Sequence, residues 1–299
     1  MKNIGGQAVI EGVMMKSPRG WSVAVRDPKG EINFKLTQTH SPNFFFRLPL
    51  IRGVVALFTA LIIGIKAIEF SGTIAYQDKD EKPLSPWSLA LSIGLAIILA
   101  IGLFKFVPLL LTTLLGSVYP GISHNPFVFN SIDGILRVAI FLLYVCAIGL
   151  WGEMRRIYQY HGAEHKVIYA YEAGEDLTVE NASKYKPYHP RCGTSFLLIV
   201  MVISIAMFIL IPQDWTFTEK LIARIILVPA IAGISYEILR FSARMADNKI
   251  KELITLPGLL LQRLTVREPD NSQIEVAIAA LKEVLKLDNI QTETVKHAG

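Results

Sequence analysis

The stretch WSLALSIGLAIILAIGLFKFVPLLLTTLLGSV, residues 87–118, decides the fold class of this chain. Its only charged residue is Lys105, and Pro108 interrupts the apolar run. A helix needs about 20 consecutive apolar residues to cross the hydrocarbon core of a bilayer. The stretch is therefore long enough for one tilted and kinked spanning helix, or for a hairpin of two shorter helices.

The composition of the whole chain agrees with a membrane protein. Of the 299 residues, 52% are hydrophobic, and the mean hydropathy of +0.42 is high for a soluble domain. Three further apolar blocks predict spanning helices near 132–151, 196–211 and 221–239. We therefore expect a mainly α, polytopic helical membrane protein whose constant partner is the lipid bilayer.

The distribution of basic residues orients the predicted spans. The connectors 119–131 and 212–219 contain no Lys or Arg, whereas the loop 152–195 and the tail 241–299 are basic. The positive-inside rule therefore places that loop, the tail and the N-terminal segment 1–47 in the cytoplasm. The net charge of +5 then reflects basic loops at a membrane surface. Nucleic acid is not an expected partner, because the chain has no long run of like charges.

Two span counts satisfy this orientation. The segment 48–75 carries Arg52 and Lys66 within its apolar run, and it predicts an interfacial, re-entrant or spanning helix. Four spans within a bundle of residues 87–240 agree with the distribution of charge. Six spans agree equally well if 48–75 crosses the bilayer and 87–118 forms a hairpin.

The N-terminal segment 1–47 predicts a small β-rich structure. Within it, VAVRDPKGEINFKL, residues 23–36, predicts two strands around a turn at Pro28 and Gly30. The pair Gly5-Gly6 indicates a closely packed backbone, because glycine lets neighbouring groups approach the main chain.

The tail predicts an amphipathic helix over residues 272–287. Ser272 and Glu275 match the S-x-x-E pattern of a capping box. Four apolar residues follow at helical spacing: Ile274, Ile278, Leu281 and Leu285. We expect this apolar face to pack on the cytoplasmic part of the protein itself. Contact with a membrane-protein partner is the alternative.

The sequence HGAEHK, residues 161–166, is the strongest functional signal in the chain. On a helix that ends near Gly174, His161 and His165 share one face, and Glu164 lies beside them. We expect that helix to continue without a break from the preceding span. Two neutral imidazoles placed in this way can hold one zinc ion. The order H-x-x-E-H also matches the inverzincin pattern, in which the glutamate activates water.

A zinc site needs a third or a fourth ligand. The same loop supplies His189 and Cys192, just before the next predicted span, and Glu172 and Glu11 are further carboxylate candidates. Four ligands, two from HGAEHK and two from the loop, would form a closed structural site. Three ligands and a water would form a catalytic site with Glu164 as general base.

Each of these residues also has a simpler interpretation. The two histidines of HGAEHK would be polar residues at a membrane-proximal helix end, bonded to Glu164 and to phospholipid headgroups. Cys192 would be a packed thiol, and Glu11 would accept hydrogen bonds from the backbone.

Three stretches together resemble one known family. They are GGQAVIEGVMMKSP (5–18), HGAEHKVIYAYEAG (161–174) and HPRCGTSF (189–196), and the likeness extends through the tail. The chain is similar to the YqhQ-like family of bacterial multi-pass membrane proteins, a family of unknown function described as predicted metal-dependent enzymes. The resemblance implies a bacterial-type plasma membrane, or an organelle derived from one. It also implies that Glu11 and HGAEHK belong to one site.

The leading hypothesis is a membrane-embedded, metal-dependent hydrolase at the cytoplasmic membrane face, with zinc as the expected metal. His161 and His165 would bind the metal, His189 or Cys192 would complete the ligand set, and Glu164 would handle the proton. The substrate would be a lipid-linked molecule or a peptide. The alternative is a non-catalytic factor for membrane-protein biogenesis or quality control, with at most a structural metal. Transport is disfavoured, because ionisable residues lie mostly at span ends.

Overall fold

A computed structural model describes residues 4–39, 43–77, 86–190, 192–212, 214–242, 245 and 249–296. The described chain is mainly helical, with a small antiparallel sheet at its N-terminus. These two features confirm the expected mainly α class and the expected β-rich N-terminal segment.

The sheet is a four-stranded meander with the strands in sequence order. Its strands are β1 (Gly5–Val9), β2 (Gly12–Ser17), β3 (Gly20–Arg26) and β4 (Ile32–Gln38). The predicted turn between β3 and β4 is confirmed: Gly30 has a φ of +90°, and the Asp27 carboxylate accepts hydrogen bonds from the N–H groups of Lys29 and Glu31. Only glycine adopts such a φ without strain, which explains its place in the turn.

The remaining elements are helical. In chain order they are α1 (Ile51–Ala75), α2 (Pro86–Ile101), α3 (Val107–Val118), α4 (Pro120–Ser123), α5 (Pro126–Gly149), α6 (Gly152–Ala173), α7 (Val179–Ser183), α8 (Gly193–Phe208), α9 (Phe217–Ile226), α10 (Val228–Ser242), α11 (Lys249–Thr265) and α12 (Asn271–Lys296). A short 3-10 turn, Phe44–Arg47, precedes α1, and a π-helical turn, Gly102–Phe106, joins α2 to α3.

Three helical segments are long and apolar enough to cross a membrane. They are α1, the continuous segment Ala90–Val118 and α5. A fourth segment qualifies if α9 and α10, which meet at a bend of 43°, are taken together. The span expected at 196–211 corresponds to a shorter apolar helix, Phe196–Phe208. These lengths and compositions, within the part of the chain described, are compatible with a membrane protein.

The helix α1 joins the sheet to the apolar helices. In its C-terminal half, Ile63, Ala67 and Ile74 are buried in a cluster with Trp21 and Val23 of β3. In its N-terminal half it crosses α10 closely, and the Arg52 guanidinium forms an ion pair with the Glu237 carboxylate. The segment predicted as interfacial, re-entrant or spanning is thus one helix that covers a face of the sheet.

The opposite face of the sheet is covered by α6 and α12. Ile274, Ile278 and Leu281 of α12 are buried in one cluster with Val13 and Met15 of β2. This confirms the expectation that the apolar face of the tail helix packs on the protein itself. Because both faces of the sheet are covered, consecutive residues of β2 and β3 are buried.

The prediction that the helix of HGAEHK continues without a break from the preceding span is wrong. The helix α5 ends at Gly149, and Trp151 has an extended backbone before α6 begins at Gly152. Glycine disfavours helix continuation, and two glycines flank this junction. The break lets α6 turn away from the apolar helices and pack on the sheet.

The predicted capping box at Ser272 and Glu275 is also wrong. The Asp270 carboxylate accepts a hydrogen bond from the Gln273 N–H at 2.9 Å, and the Gln273 side chain accepts one from the Asp270 N–H at 3.0 Å. Ser272 donates its hydroxyl to Asp270, and Glu275 pairs with Arg26. Aspartate is as strong an N-cap as serine, so the box forms two residues earlier.

Candidate metal centre

The HGAEHK sequence lies within α6 and is enclosed by the protein. Glu164 is 5% exposed and His165 is 1% exposed. The sheet and α12 cover one side of α6, and the other side is covered by Pro187, Cys192 and the segment 265–269. His161 is only partly buried, so of the two histidines it is His165 that the protein encloses more fully.

One glycine within α6 allows close packing, and another ends the helix. A Cβ atom at Gly162 would lie 2.2 Å from the carbonyl oxygen of Arg267, so only glycine allows the segment before α12 to lie this close. The helix ends where predicted, because Gly174 has a φ of +77° and caps its C-terminus. Lys166, the last residue of the motif, donates to the Ser183 carbonyl and pairs with Glu268.

Backbone carbonyls orient both histidines of α6. The Nδ1 atom of His161 lies 3.0 Å from the carbonyl oxygen of Thr265, and the Nδ1 atom of His165 lies 2.6 Å from that of Pro187. A carbonyl oxygen only accepts, so each Nδ1 carries a proton, and in the neutral form of each ring Nε2 keeps its lone pair. Metal-binding histidines have this arrangement, in which a carbonyl fixes the ring and its tautomer.

Cys192, the residue directly before α8, lies close to the two histidines. Its Sγ atom lies 3.2 Å from the Nε2 atom of His161, and it accepts hydrogen bonds from the N–H and hydroxyl groups of Thr194 at 3.4 and 3.3 Å. The Nε2 atom of His165 is buried without a hydrogen-bond partner. One donor atom from each of the three residues lies within 4.8 Å of the other two.

These donor atoms fit a zinc ion. Zinc binds nitrogen at about 2.0–2.1 Å and sulfur at about 2.3 Å, which puts tetrahedral N and S ligands about 3.6 Å apart. The observed separations, 3.2 Å for His161 to Cys192 and at most 4.8 Å within the cluster, bracket that value. A metal would also give the buried Nε2 atom of His165 the partner that it lacks. Three protein ligands leave the fourth position open, as in catalytic zinc sites.

Glu164 lies beside the cluster, against the first strand of the sheet. The Gly6 N–H donates to its carboxylate, and the Oε2 atom is buried without a partner. Burial raises the pKa of Glu164 to about 7, although the charge of His161 and the Gly6 hydrogen bond lower it. A carboxyl group that titrates near neutral pH can both accept and donate a proton under ordinary conditions.

Gly6 is needed for this contact. A Cβ atom at Gly6 would lie 2.8 Å from the carboxylate of Glu164 and 2.8 Å from the carbonyl oxygen of Met14. A Cβ atom at Gly5 would have nothing within 4 Å. The close packing predicted for the glycine pair is therefore confirmed at Gly6.

His189 lies next to the cluster of donor atoms but is not part of it. Its ring centroid is 5.7 Å from that of His165 and 4.4 Å from that of Tyr169. Its Nε2 atom lies 3.5 Å from the Glu172 carboxylate. Burial, and then the charge of His165, lowers the pKa of His189 to about 4. The ring is therefore neutral at pH 7 and oriented towards Glu172.

Glu11 is at a different place along α6. Its carboxylate forms an ion pair with Arg156 and accepts a hydrogen bond from the Tyr160 hydroxyl at 3.2 Å. Glu11 has a φ of +49° in the turn between β1 and β2. Glu11 and HGAEHK thus contact the same helix, but the group of metal-ligand atoms among the described residues does not include Glu11.

Comparison with known proteins places the chain in a family. The family described as "Protein of unknown function (DUF1385)" matches residues 48–287, which include all of α6 and Cys192. The chain belongs to this family. It is 34% identical to the "Uncharacterized protein YqhQ" of Bacillus subtilis (strain 168) over 303 residues, covering 98% of this chain and 95% of that protein. No solved structure matches. The resemblance to the YqhQ-like family is confirmed, and it brings no known activity.

Several residues that build the centre were not predicted from the sequence. The Gln262 side chain, fully buried on α11, accepts a hydrogen bond from the His189 N–H and donates one to the His189 carbonyl, both at 2.8 Å. Thr265 and Pro187 act through their carbonyl groups, which every residue has. The one available signal was the glutamine in the apolar run ITLPGLLLQRL, where a buried amide needs partners.

A cavity of about 760 Å³ lies beside the donor atoms. His165, Cys192 and Glu164 line it, together with residues of β1 and β2, of α1 and of α10. The fourth metal position and the Glu164 carboxylate therefore have space for a small molecule next to them.

Proposed function

We propose that this chain is a membrane-bound, metal-dependent hydrolase whose zinc ion is held by His161, His165 and Cys192. The observation that carries the proposal is the pair of hydrogen bonds from Nδ1 atoms to backbone carbonyls, in rings whose ligand atoms are grouped with the Cys192 sulfur. In the neutral rings these bonds leave both Nε2 lone pairs available to a metal. The basic loop and tail favour the cytoplasmic face of a bacterial-type plasma membrane for this site.

Glu164 is the proton-transfer group in this proposal. Its carboxylate lines the same cavity as His165 and Cys192, and its Oε2 atom has no partner. When bound, zinc supplies Lewis acidity to a carbonyl or phosphoryl oxygen and activates water at neutral pH. Glu164 accepts a proton from the attacking water and returns it to the leaving group.

Cobalt substitution tests the metal site and its open position together. We expect the purified full-length protein with Co²⁺ to show a sulfur-to-cobalt charge-transfer band, and the Cys192→Ser variant to lack it. We also expect added azide to shift the visible bands, because a three-ligand site can accept it. Bands that azide leaves unchanged would indicate a closed structural metal and favour a non-catalytic membrane factor.

Hydrolysis by a Glu164→Gln variant tests the role of the carboxylate. The substrates are a panel of phosphoesters, carboxylic esters and peptides presented in detergent micelles. We expect Glu164→Gln to retain the cobalt spectrum and to lose activity about 100-fold or more, the usual contribution of general acid–base catalysis. Equal activity of the variant and the wild type would contradict the assignment.

A second candidate function is favoured by the 3.2 Å contact between His161 and Cys192. A thiol at a helix N-terminus, next to a histidine whose Nδ1–H is held by a carbonyl, is also the arrangement of a nucleophilic cysteine. In such an enzyme the Cys192 sulfur would attack an ester or amide carbonyl while His161 takes the thiol proton and passes it to the departing alcohol or amine. Water would then hydrolyse the thioester, and His165 would have no role. Activity that survives both a chelator and His165→Ala would favour the cysteine nucleophile over zinc.

A further inference from the structure

The cavity beside the metal centre has an unequal distribution of charge. Lys16 of β2 and Arg240 of α10 line it, whereas Glu164 is the one acidic residue among the described residues of its lining. The two cations come from separate elements, one from the sheet and one from an apolar helix. Both are partly buried.

Neither cation forms an ion pair with a carboxylate of the described residues. The Lys16 side chain has no hydrogen bond or ion pair with another described residue, and burial lowers the pKa of its ammonium group. Arg240 is close to Glu237, but both carboxylate oxygens of Glu237 bind the Arg52 guanidinium. Cations that are partly withdrawn from water in this way gain from an anionic ligand.

The same cavity has an apolar side. Ala60 and Ile63 of α1 contribute to it, and Met14 and Ile168 extend it towards the sheet and α6. The helix α1 is long and apolar enough to cross a bilayer, and α10 belongs to the bent pair of α9 and α10 that qualifies when the two are taken together. The cavity is therefore located where a molecule held in the membrane could place its headgroup in the protein.

We infer that this cavity binds an amphiphile with a phosphate-bearing headgroup, whose phosphate is held by Lys16 and Arg240 and whose apolar part lies along α1. The inference rests on the proposed function, because it makes this amphiphile the substrate class of the hydrolase. A lysine and an arginine on two sides of one anion are a common phosphate-binding arrangement. The N-terminus of α8, at Gly193, lines the same cavity and adds further attraction for an anion.

Equilibrium binding to the purified full-length protein in neutral detergent micelles tests this inference. The probes are short-chain phosphatidic acid, the matching diacylglycerol without phosphate, and inorganic phosphate. We expect phosphatidic acid to bind at least about tenfold more tightly than either of the others, because only it supplies both the charge and the chain. Equal binding of the diacylglycerol would overturn the role of the cations. Equal binding of inorganic phosphate would overturn the amphiphile.

Variants locate the site. We expect Lys16→Gln and Arg240→Gln each to weaken phosphatidic acid binding about tenfold, and the exposed Lys29→Gln to leave it unchanged. Unchanged binding by the double variant would contradict the inference.

The salt dependence of binding to the wild type is an independent test. Its affinity for phosphatidic acid should fall as ionic strength rises, because salt screens the attraction between the cations and the phosphate. An affinity that does not depend on salt would also overturn the proposal.

The two proposals fail in different ways. Lys16 and Arg240 keep their charge without a metal, so phosphatidic acid should bind to protein treated with a chelator. Selective binding without any bound zinc in the untreated protein would overturn the metal centre and support the headgroup site. Stoichiometric zinc with no selective binding would overturn the headgroup site alone.

Discussion

The Nε2 atom of His161 lies 3.2 Å from the Sγ atom of Cys192, although 31 positions separate the two residues in the chain. The contact depends on a third segment, because Gln262 of α11 holds the backbone of His189 with two hydrogen bonds. The end of the same helix supplies the Thr265 carbonyl that orients His161. The centre is therefore assembled from α6, the start of α8 and the end of α11.

The glycine pair of β1 gives a matched test of the packing around Glu164. The Gly6→Ala variant places a methyl group against the carboxylate, so we expect a loss of stability of about 1–3 kcal/mol or a displaced Glu164 with lower hydrolytic activity. Gly5→Ala is the control, because a Cβ atom there meets nothing within 4 Å. Chemical denaturation and activity assays of both variants measure the difference. Indistinguishable behaviour would contradict the contact.

Replacing Gln262 tests how the loop before α8 is held. Gln262→Ala leaves the buried N–H and carbonyl groups of His189 without their partners, which costs about 1–3 kcal/mol. Denaturant titration in detergent micelles should detect this loss, and a lower zinc affinity should accompany it. Gln77→Ala, at an exposed position, is the matched control. A Gln262→Ala protein as stable as that control would argue against this clamp.

The capping box of α12 predicts a dependence on pH. Burial raises the pKa of Asp270, but hydrogen bonds from the Ser272 hydroxyl and from the N–H groups of Gln273 and Ser272 outweigh it, so the pKa is lowered below its usual 3.8. A lowered folded-state pKa stabilises the protein above the unfolded value, and this contribution is lost as the pH falls through the folded value. An asparagine in place of Asp270 would cap the helix without titrating. The stability advantage of wild type over Asp270→Asn should therefore shrink below pH 3.8.

Urea titrations of the two proteins at several pH values would measure this difference. An advantage of the wild type that stays constant across the acid range would show that the charge of Asp270 does not stabilise α12.

Replacing His189 distinguishes a metal site with three protein ligands from one with four. Because its ring lies outside the cluster of donor atoms, we expect His189→Ala to bind zinc with an affinity close to that of the wild type. We expect the zinc affinity of His165→Ala to fall by more than about 100-fold, because this variant removes a residue that binds the metal itself, and not one that only contacts a ligand. His124→Ala, at an exposed position, controls for the loss of an imidazole. Equal losses for His189→Ala and His165→Ala would indicate a fourth ligand.

Local patterns predicted much of the fold. The turn at Gly30, the apolar face of α12 around Ile278 and the end of α6 at Gly174 each follow from a few neighbouring residues, whose conformational preferences the structure keeps. The break after Gly149 was missed because apolar residues continue across it. The N-cap of α12 at Asp270 was missed because Asp270 and Ser272 are both residue types that cap helices, and each has an acidic or amide side chain three positions later.

The centre was only partly predictable for a different reason. His161 and His165 were found from helical spacing, and Cys192 from its position in the adjoining loop. The carbonyl groups of Thr265 and Pro187 have no sequence signature, since tertiary contacts alone bring them to the imidazoles. Glu11 was associated with the site through the family resemblance, whereas its carboxylate pairs with Arg156 instead.

Metal content of the purified full-length protein is the most direct test of the central claim. Elemental analysis by mass spectrometry, with the His165→Ala and Cys192→Ser variants measured in parallel, should find one zinc ion per chain in the wild type and far less in either variant. A folded wild-type protein that holds no stoichiometric metal, even after incubation with zinc, would contradict the account.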